Sequence, residues 1–141
     1  MSLTLTEQFA RFVAGVSYAD IPQAARDKAR DCILDCIGCE IAGSAEGIRE
    51  PVLQYVDAVG GAPQATLVGS GRRTSITNAA LANGTFGHVL DYDDTNQIFI
   101  GHGSVVIVPA IFALAEHLGR GGEDILLAYM VGTEIQWKFG E

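Results

Sequence analysis

Basic side chains are scarce in this chain. Nine lysines and arginines face seventeen aspartates and glutamates, for a net charge of −8. No basic stripe exists to replace phosphate counterions, which excludes non-specific nucleic-acid binding. An anionic substrate would need locally positive groups against an unfavourable overall field. Long apolar runs are missing too. The longest, Val105 to Ala115, contains Pro109 and has about half the length needed to cross a bilayer. The first residues, Met-Ser-Leu-Thr-Leu-Thr-Glu, lack the basic start and apolar core of a signal peptide. Only three cysteines occur, all on one short segment, which is no secreted disulfide framework. A reducing cytoplasm is the expected setting, with no membrane and no nucleic acid as partner.

What is present fits a soluble globular domain: 48% hydrophobic and 18% charged residues over 141 positions. One domain of this size buries about two thirds of its unfolded surface. Helical periodicity dominates. Thr4 and Glu7 have capping-box spacing, followed by Phe9, Phe12, Val13 and Val16 at helical intervals. Pro22 suits the first turn of a long second helix, whose buried stripe would be Ala25, Ala29, Cys32, Ile33, Cys36, Ile37 and Ile41. Gly43 is its expected stop. Arg26, Lys28, Arg30, Asp31 and Asp35 form the opposite, solvated face.

A third helix is expected from Ile48 to Val59, broken by Gly60-Gly61. Gln64 to Val68 is the one credible strand, and Gly69-Ser-Gly-Arg72-Arg73 reads as an exposed turn. Ser75 would cap a helix to Leu90 that is rich in small residues and suited to close packing. Ser104 would cap an apolar helix ending at Gly119, and a last helix would run from Glu123 and Asp124 towards Trp137. The expected fold class is all-α, a layered bundle of about six helices with at most one short strand.

Chemistry concentrates between two apolar helices. Asp91, Asp93, Asp94, Thr95 and His102 fall within one loop, as at the lip of a pocket. Asp91-Tyr-Asp93-Asp94-Thr95 fits the Asp-x-Asp-x-Thr pattern of aspartyl-phosphate phosphatases, where the first Asp attacks phosphorus. That chemistry needs a buried strand before Asp91, and the preceding segment has no strand period. A calcium loop fits worse, with Asn96 where the turn wants glycine and His102 where a bidentate Glu is needed. Two of the carboxylates suit magnesium without specifying it.

Cys32-x3-Cys36-x2-Cys39 matches the spacing of radical enzymes that bind a four-iron cluster. These thiols lie in mid-helix on an apolar period, which favours core packing. In His102-Gly103-Ser104, a helix start would aim unpaired amides at the loop and favour an anion. The glycine would let a ligand approach the backbone. His88 is read first as a packing residue and second as a partner of Asp91. His117, near a helix end, sits where its charge is favourable.

Several segments together resemble the MmgE/PrpD family: Asn78-Ala-Ala-Leu-Ala-Asn-Gly-Thr, His88-Val-Leu-Asp-Tyr-Asp-Asp-Thr, Gly101-His-Gly-Ser and Val108-Pro-Ala-Ile-Phe-Ala-Leu-Ala-Glu, with Gly69-Ser-Gly-Arg-Arg-Thr-Ser before them. The family includes 2-methylcitrate dehydratases, cis-aconitate decarboxylases and an iminodisuccinate epimerase. The resemblance implies a large helical domain and a smaller lid domain, a homodimer, and catalysis without metal or other cofactor. By resemblance Asp91, Thr95 and His102 are catalytic positions: His102 moves a proton, while Asp91 and Thr95 orient it or the substrate carboxylates. Asp94, Gly103 and Ser104 are the candidate substrate-binding residues. The family loop often has His-Pro-Ser where this chain has His102-Gly-Ser.

Family members are much longer, so residues 1–141 are expected to be the N-terminal portion of the helical domain, without the lid domain and C-terminal part. The implied activity is that of a lyase or isomerase of small polycarboxylates, with the fragment alone inactive because opposing catalytic groups lie elsewhere. The alternative is a helical piece that self-associates through apolar faces and performs no chemistry.

Overall fold

The computed structural model describes residues 3–140, which form six α-helices and one small hairpin. Helix α1 (Leu5–Gly15) starts with the expected capping box, the Thr4 hydroxyl accepting the Glu7 amide and the Glu7 carboxylate accepting the Thr4 amide. After a 3-10 turn (Tyr18–Asp20), α2 runs from Gln23 to Gly43 with Pro22 at its N-cap, one position outside the first turn. Helix α3 spans Arg49–Val59, and Gly60, at φ 71°, ends it. Helices α4 (Ile76–His88), α5 (Gly103–Leu118) and α6 (Gly122–Gly140) complete the bundle.

The mostly helical class is as expected, with one addition. Strand β1 (Ala65–Leu67) has an antiparallel partner, β2 (Arg72–Thr74), in the register Ala65 to Thr74. Arg72 and Arg73 are exposed, as expected, but lie on a strand and not in the turn before it. Each also has an acidic partner in this chain, Asp57 and Glu116 respectively. Three residues carry too little alternation to announce a strand. Side chains on neighbouring helices hold the hairpin in place. Asn83 of α4 accepts from the Val68 amide and donates to the Thr66 carbonyl, both at 3.0 Å, and Glu116 of α5 accepts the Thr66 amide at 2.7 Å.

Helix α4 sits between α2 and α5 and packs extensively on both. Its small residues make that possible. A Cβ added at Gly87 would lie 2.9 Å from Val105 Cγ2 and 3.3 Å from Glu40 Cγ, and one on Gly43 of α2 only 1.9 Å from the Phe86 carbonyl oxygen. The main core joins α2, α5 and α6 through Ala29, Ile33, Cys36, Val105, Val108, Leu126 and Tyr129. A second cluster sets Phe86 and Ala82 of α4 against Val56 and Leu67. Each such large apolar side chain contributes about 1.5–3 kcal/mol by leaving water.

The α2 stripe departs from its expected course. Ala29, Ile33 and Cys36 are buried, but Ile41 is 57% exposed and Ala25 is exposed. Glu40 takes the inward place instead, 3% exposed. Arg26, assigned to the solvated face, lies half-buried over the Tyr18 ring at 4.3 Å. The three cysteines are free thiols within one helix, two of them buried. No helix among the described residues is long and apolar enough to cross a membrane.

Candidate active site

Helix α4 ends at His88 and α5 begins at Gly103, so the acidic loop joins two tightly packed helices and its ends are fixed by both. The chain turns sharply at once. The Asp91 amide donates to the His88 carbonyl at 3.0 Å, and Asp91 adopts φ 55°. Aspartate tolerates this left-handed conformation better than most residues. Further on, the Asn96–Gly101 bridge closes a tight turn, with the Asn96 side chain accepting the amides of Ile98 and Phe99.

Of the three aspartates, Asp93 is the one turned inward, its side chain fully buried. Its Oδ1 lies 3.0 Å from His88 Nδ1, and its Oδ2 lies 3.2 Å from His102 Nδ1. The Asp93 carbonyl oxygen is also 3.2 Å from His102 Nδ1. The two rings meet edge to face, 4.7 Å between centroids. With Nδ1–H directed at Asp93, His102 keeps Nε2 free to exchange a proton, and Nε2 lies 3.6 Å from Asp91 Oδ1. Asp91 is 78% exposed and His102 26%. The expectation that His88 is mainly a packing residue is corrected: it is half exposed and shares Asp93 with His102.

Ser104 does not cap α5. His102 occupies the cap position, without a capping side-chain bond, and Ser104 is the second helical residue. The cap comes from Asp94, whose Oδ1 accepts the Ser104 amide at 3.0 Å while the Ser104 hydroxyl bonds its Oδ2. That hydroxyl also lies 2.6 Å from the Tyr129 phenol of α6. The anion expected at this helix start is thus a carboxylate of the chain itself. Burial pushes the Tyr129 hydroxyl above its usual range, against the opposing effect of the Ser104 bond.

Thr95 stands apart from the histidine cluster. With Asp94, Asn96 and Gly103 it lines one side of a cavity of about 610 Å³ between the start of α2 and α6. The remainder is lined mainly by apolar groups such as Ala29, Cys32, Met130 and Trp137, with Asp20, Lys28, Glu134 and Gln136 among the polar ones, and neither Asp91 nor His102 lines it. The structure therefore joins Asp91 to His102 and places Thr95, Asp94 and Gly103 on the cavity rim. The phosphatase pattern loses its premise, because helix α4, not a strand, precedes Asp91.

Two groups were not chosen as site residues from the sequence. Asp93 was one of three aspartates in a loop without periodicity, where nothing marks which side chain turns inward. Glu40, on α2, accepts from the Cys36 thiol at 3.9 Å, and burial pushes its carboxyl up to about 7. Burial, reinforced by the Glu40 charge, likewise raises the Cys36 thiol well above its usual range. The only signal for Glu40 was an acid one turn beyond Cys36 on an apolar stripe.

The profile of the MmgE/PrpD N-terminal domain matches residues 7–141. The chain belongs to the MmgE/PrpD family. Among curated relatives, the human cis-aconitate decarboxylase is 31% identical over 143 aligned positions, covering 98% of this chain and 30% of that protein. The cis-aconitate decarboxylase-like protein oryM of Aspergillus oryzae is 29% identical over 96% of this chain and 30% of its own length. The cis-aconitate decarboxylase of Aspergillus terreus is 25% identical over 97% and 29%. This MmgE/PrpD chain thus spans about 30% of the length of the relatives it matches.

Proposed function

We propose that this chain supplies the proton-transfer histidine of a lyase acting on small polycarboxylates, of the cis-aconitate or 2-methylcitrate kind. The supporting observation is the Asp93–His102–Asp91 arrangement. Asp93 fixes the tautomer and ring orientation of His102, and Asp91 lies beside the free Nε2. In dehydration a base so placed takes a proton from carbon next to a carboxylate, and its conjugate acid gives that proton to the departing hydroxide, which leaves as water. Where CO2 is lost instead, the imidazolium delivers its proton to the carbon that keeps the electron pair of the broken C–CO2 bond. Thr95 would orient the substrate from the cavity rim, with Asp94 and Gly103 shaping that rim and the buried Ser104 acting behind it by holding Asp94.

Charge decides what else is required. The bonded cluster contains two carboxylates and, among the described residues, no lysine or arginine. A polyanionic substrate needs cationic groups; Lys28 lines the cavity that Thr95 borders, and those beside His102 would come from residues outside this chain. In this reading residues 1–141 are the N-terminal portion of the helical domain and hold half of an active site. Their exposed apolar side chains, among them Leu34 and Val106, would be covered by the rest of the enzyme or by a second subunit of a dimer.

The test uses the longest natural polypeptide that carries these residues, with cis-aconitate and 2-methylcitrate turnover followed by NMR. His102→Ala should lower kcat on the order of a hundredfold or more. A loss of about tenfold or less would remove His102 from the proton-transfer step. The 141-residue chain alone should show no turnover with either substrate.

A further inference from the structure

We propose that His88, Asp91 and His102 form a binding site for a divalent transition-metal ion of the zinc class. One ring nitrogen from each histidine and one Asp91 carboxylate oxygen all lie within 4.8 Å of one another. A tetrahedral ion with bonds of about 2.1 Å holds its donors about 3.4 Å apart. The pair His102 Nε2 and Asp91 Oδ1, at 3.6 Å, already has that spacing. Two imidazoles and one carboxylate are the donor set such ions prefer, and they leave one position open for water or a ligand oxygen.

A second observation lies behind the histidines. Metal-bound imidazoles characteristically direct their other ring nitrogen at a carboxylate, which fixes the ring and strengthens it as a donor. Here one residue stands behind both rings: Asp93 Oδ1 bonds His88 Nδ1 at 3.0 Å, while His102 Nδ1 donates to the Asp93 carbonyl at 3.2 Å with Oδ2 at the same distance. Asp93 Oδ2 is buried without a well-formed hydrogen bond. A buried carboxylate facing two imidazoles and a second carboxylate leaves negative charge that a divalent cation would neutralise. Hard oxygen-seeking ions are less suited, since two of the three donors are nitrogen.

The site needs no turnover to exist, so it stands independently of the lyase reading. Where both hold, they compete: an ion on His102 Nε2 occupies the nitrogen that would move the proton. The ion is then an inhibitor.

The experiment is calorimetric titration of Zn(II) into the 141-residue chain, repeated with Co(II) and read by absorption. One ion per chain is expected. Asp91→Asn and His88→Gln should each weaken binding by about tenfold or more. Both positions are exposed, and asparagine accepts the left-handed conformation at 91, so both variants keep the fold. No binding, or binding unchanged in both variants, overturns the site. A thiolate-to-cobalt charge-transfer band overturns it as well, assigning the ion to the cysteines of α2. Imidazole NMR gives an independent reading: zinc should perturb His88 and His102 together, and perturbation of His117 alone would refute the assignment. Absence of zinc binding leaves the turnover test untouched, and absence of turnover leaves the binding test untouched.

Discussion

Asp93 meets His102 Nδ1 twice, through its carboxylate and through its own carbonyl oxygen, both at 3.2 Å. The carbonyl can only accept, so that nitrogen carries the proton and the basic site is Nε2; the carboxylate oxygen stands at the same distance without a well-formed hydrogen bond. Asp93→Asn keeps the carbonyl but sets a neutral amide beside the same nitrogen in place of an anionic oxygen, which weakens the preference for the Nδ1–H tautomer. Nitrogen-15 spectra of His102 should show the proton moving towards Nε2. In the longer enzyme kcat should fall by about 10²–10⁴-fold with a smaller change in KM, because binding groups are retained. An unchanged tautomer in the variant would remove Asp93 from this role.

The Asp94–Ser104–Tyr129 chain makes a prediction about stability. Asp94 caps α5 through the Ser104 amide and hydroxyl, and Ser104 is 1% exposed. Asp94→Ala leaves both groups short of a partner and should cost about 1–3 kcal/mol in urea unfolding. Tyr129→Phe removes only the outer bond and should cost about 1 kcal/mol. The double variant Asp94→Ala with Tyr129→Phe should depart from additivity, because both partners share one hydroxyl. Strict additivity would mean that the hydroxyl does not couple them.

Much of this was legible in advance where local chemistry decides. The Thr4–Glu7 cap, the Gly43 stop and the Gly60 break each depend on residues adjacent in sequence, and each stands where expected. The second strand is too short to show alternation, and the burial of Glu40 and the exposure of Ile41 depend on what α4 and α5 press against α2, which no single helix records. The candidate site divides the same way. The loop and its histidine announced themselves by composition. Asp93 emerged only when the turn at Asp91 aimed it inward, and Ser104 lost the cap to Asp94 because the loop folds back across ten residues.

Gly43 tests the close packing of α2 on α4. A Cβ there would stand 1.9 Å from the Phe86 carbonyl oxygen and 2.6 Å from Val89 Cγ1. A carbonyl inside a helix cannot step aside as a side-chain tip does, so Gly43→Ala must separate the two helices. The cost should reach about 3 kcal/mol or more, beyond the usual range for overpacking. Because α4 leads directly into His88, the same change should also broaden the His88 and His102 resonances. Gly38→Ala is the control, since nothing lies within 4 Å of a Cβ there; in mid-helix it should be neutral or stabilising. Equal effects at the two glycines would contradict the close approach.

Glu40 should impose a pH dependence on stability whose sign follows from its burial. Its folded carboxyl titrates at about 7 against an ordinary 4.5, because loss of water disfavours the charge more than the Cys36 thiol restores it. Between those values the folded chain holds a proton that the unfolded chain has released. Stability from this group is therefore greatest below 4.5, falls as pH rises through 7, and is constant above. The whole difference is on the order of 3 kcal/mol. Glu40→Gln keeps the shape and removes the titration, so the variant should gain on the native chain as pH rises from about 5 to about 8. Glu7 and Glu116, whose carboxyls sit below their ordinary range, act at lower pH and are common to both proteins. The native-minus-variant difference in urea unfolding free energy across that window isolates Glu40. A difference that stays flat would show its carboxylate to be hydrated, and the packing of α2 against Gly87 looser than the structure describes.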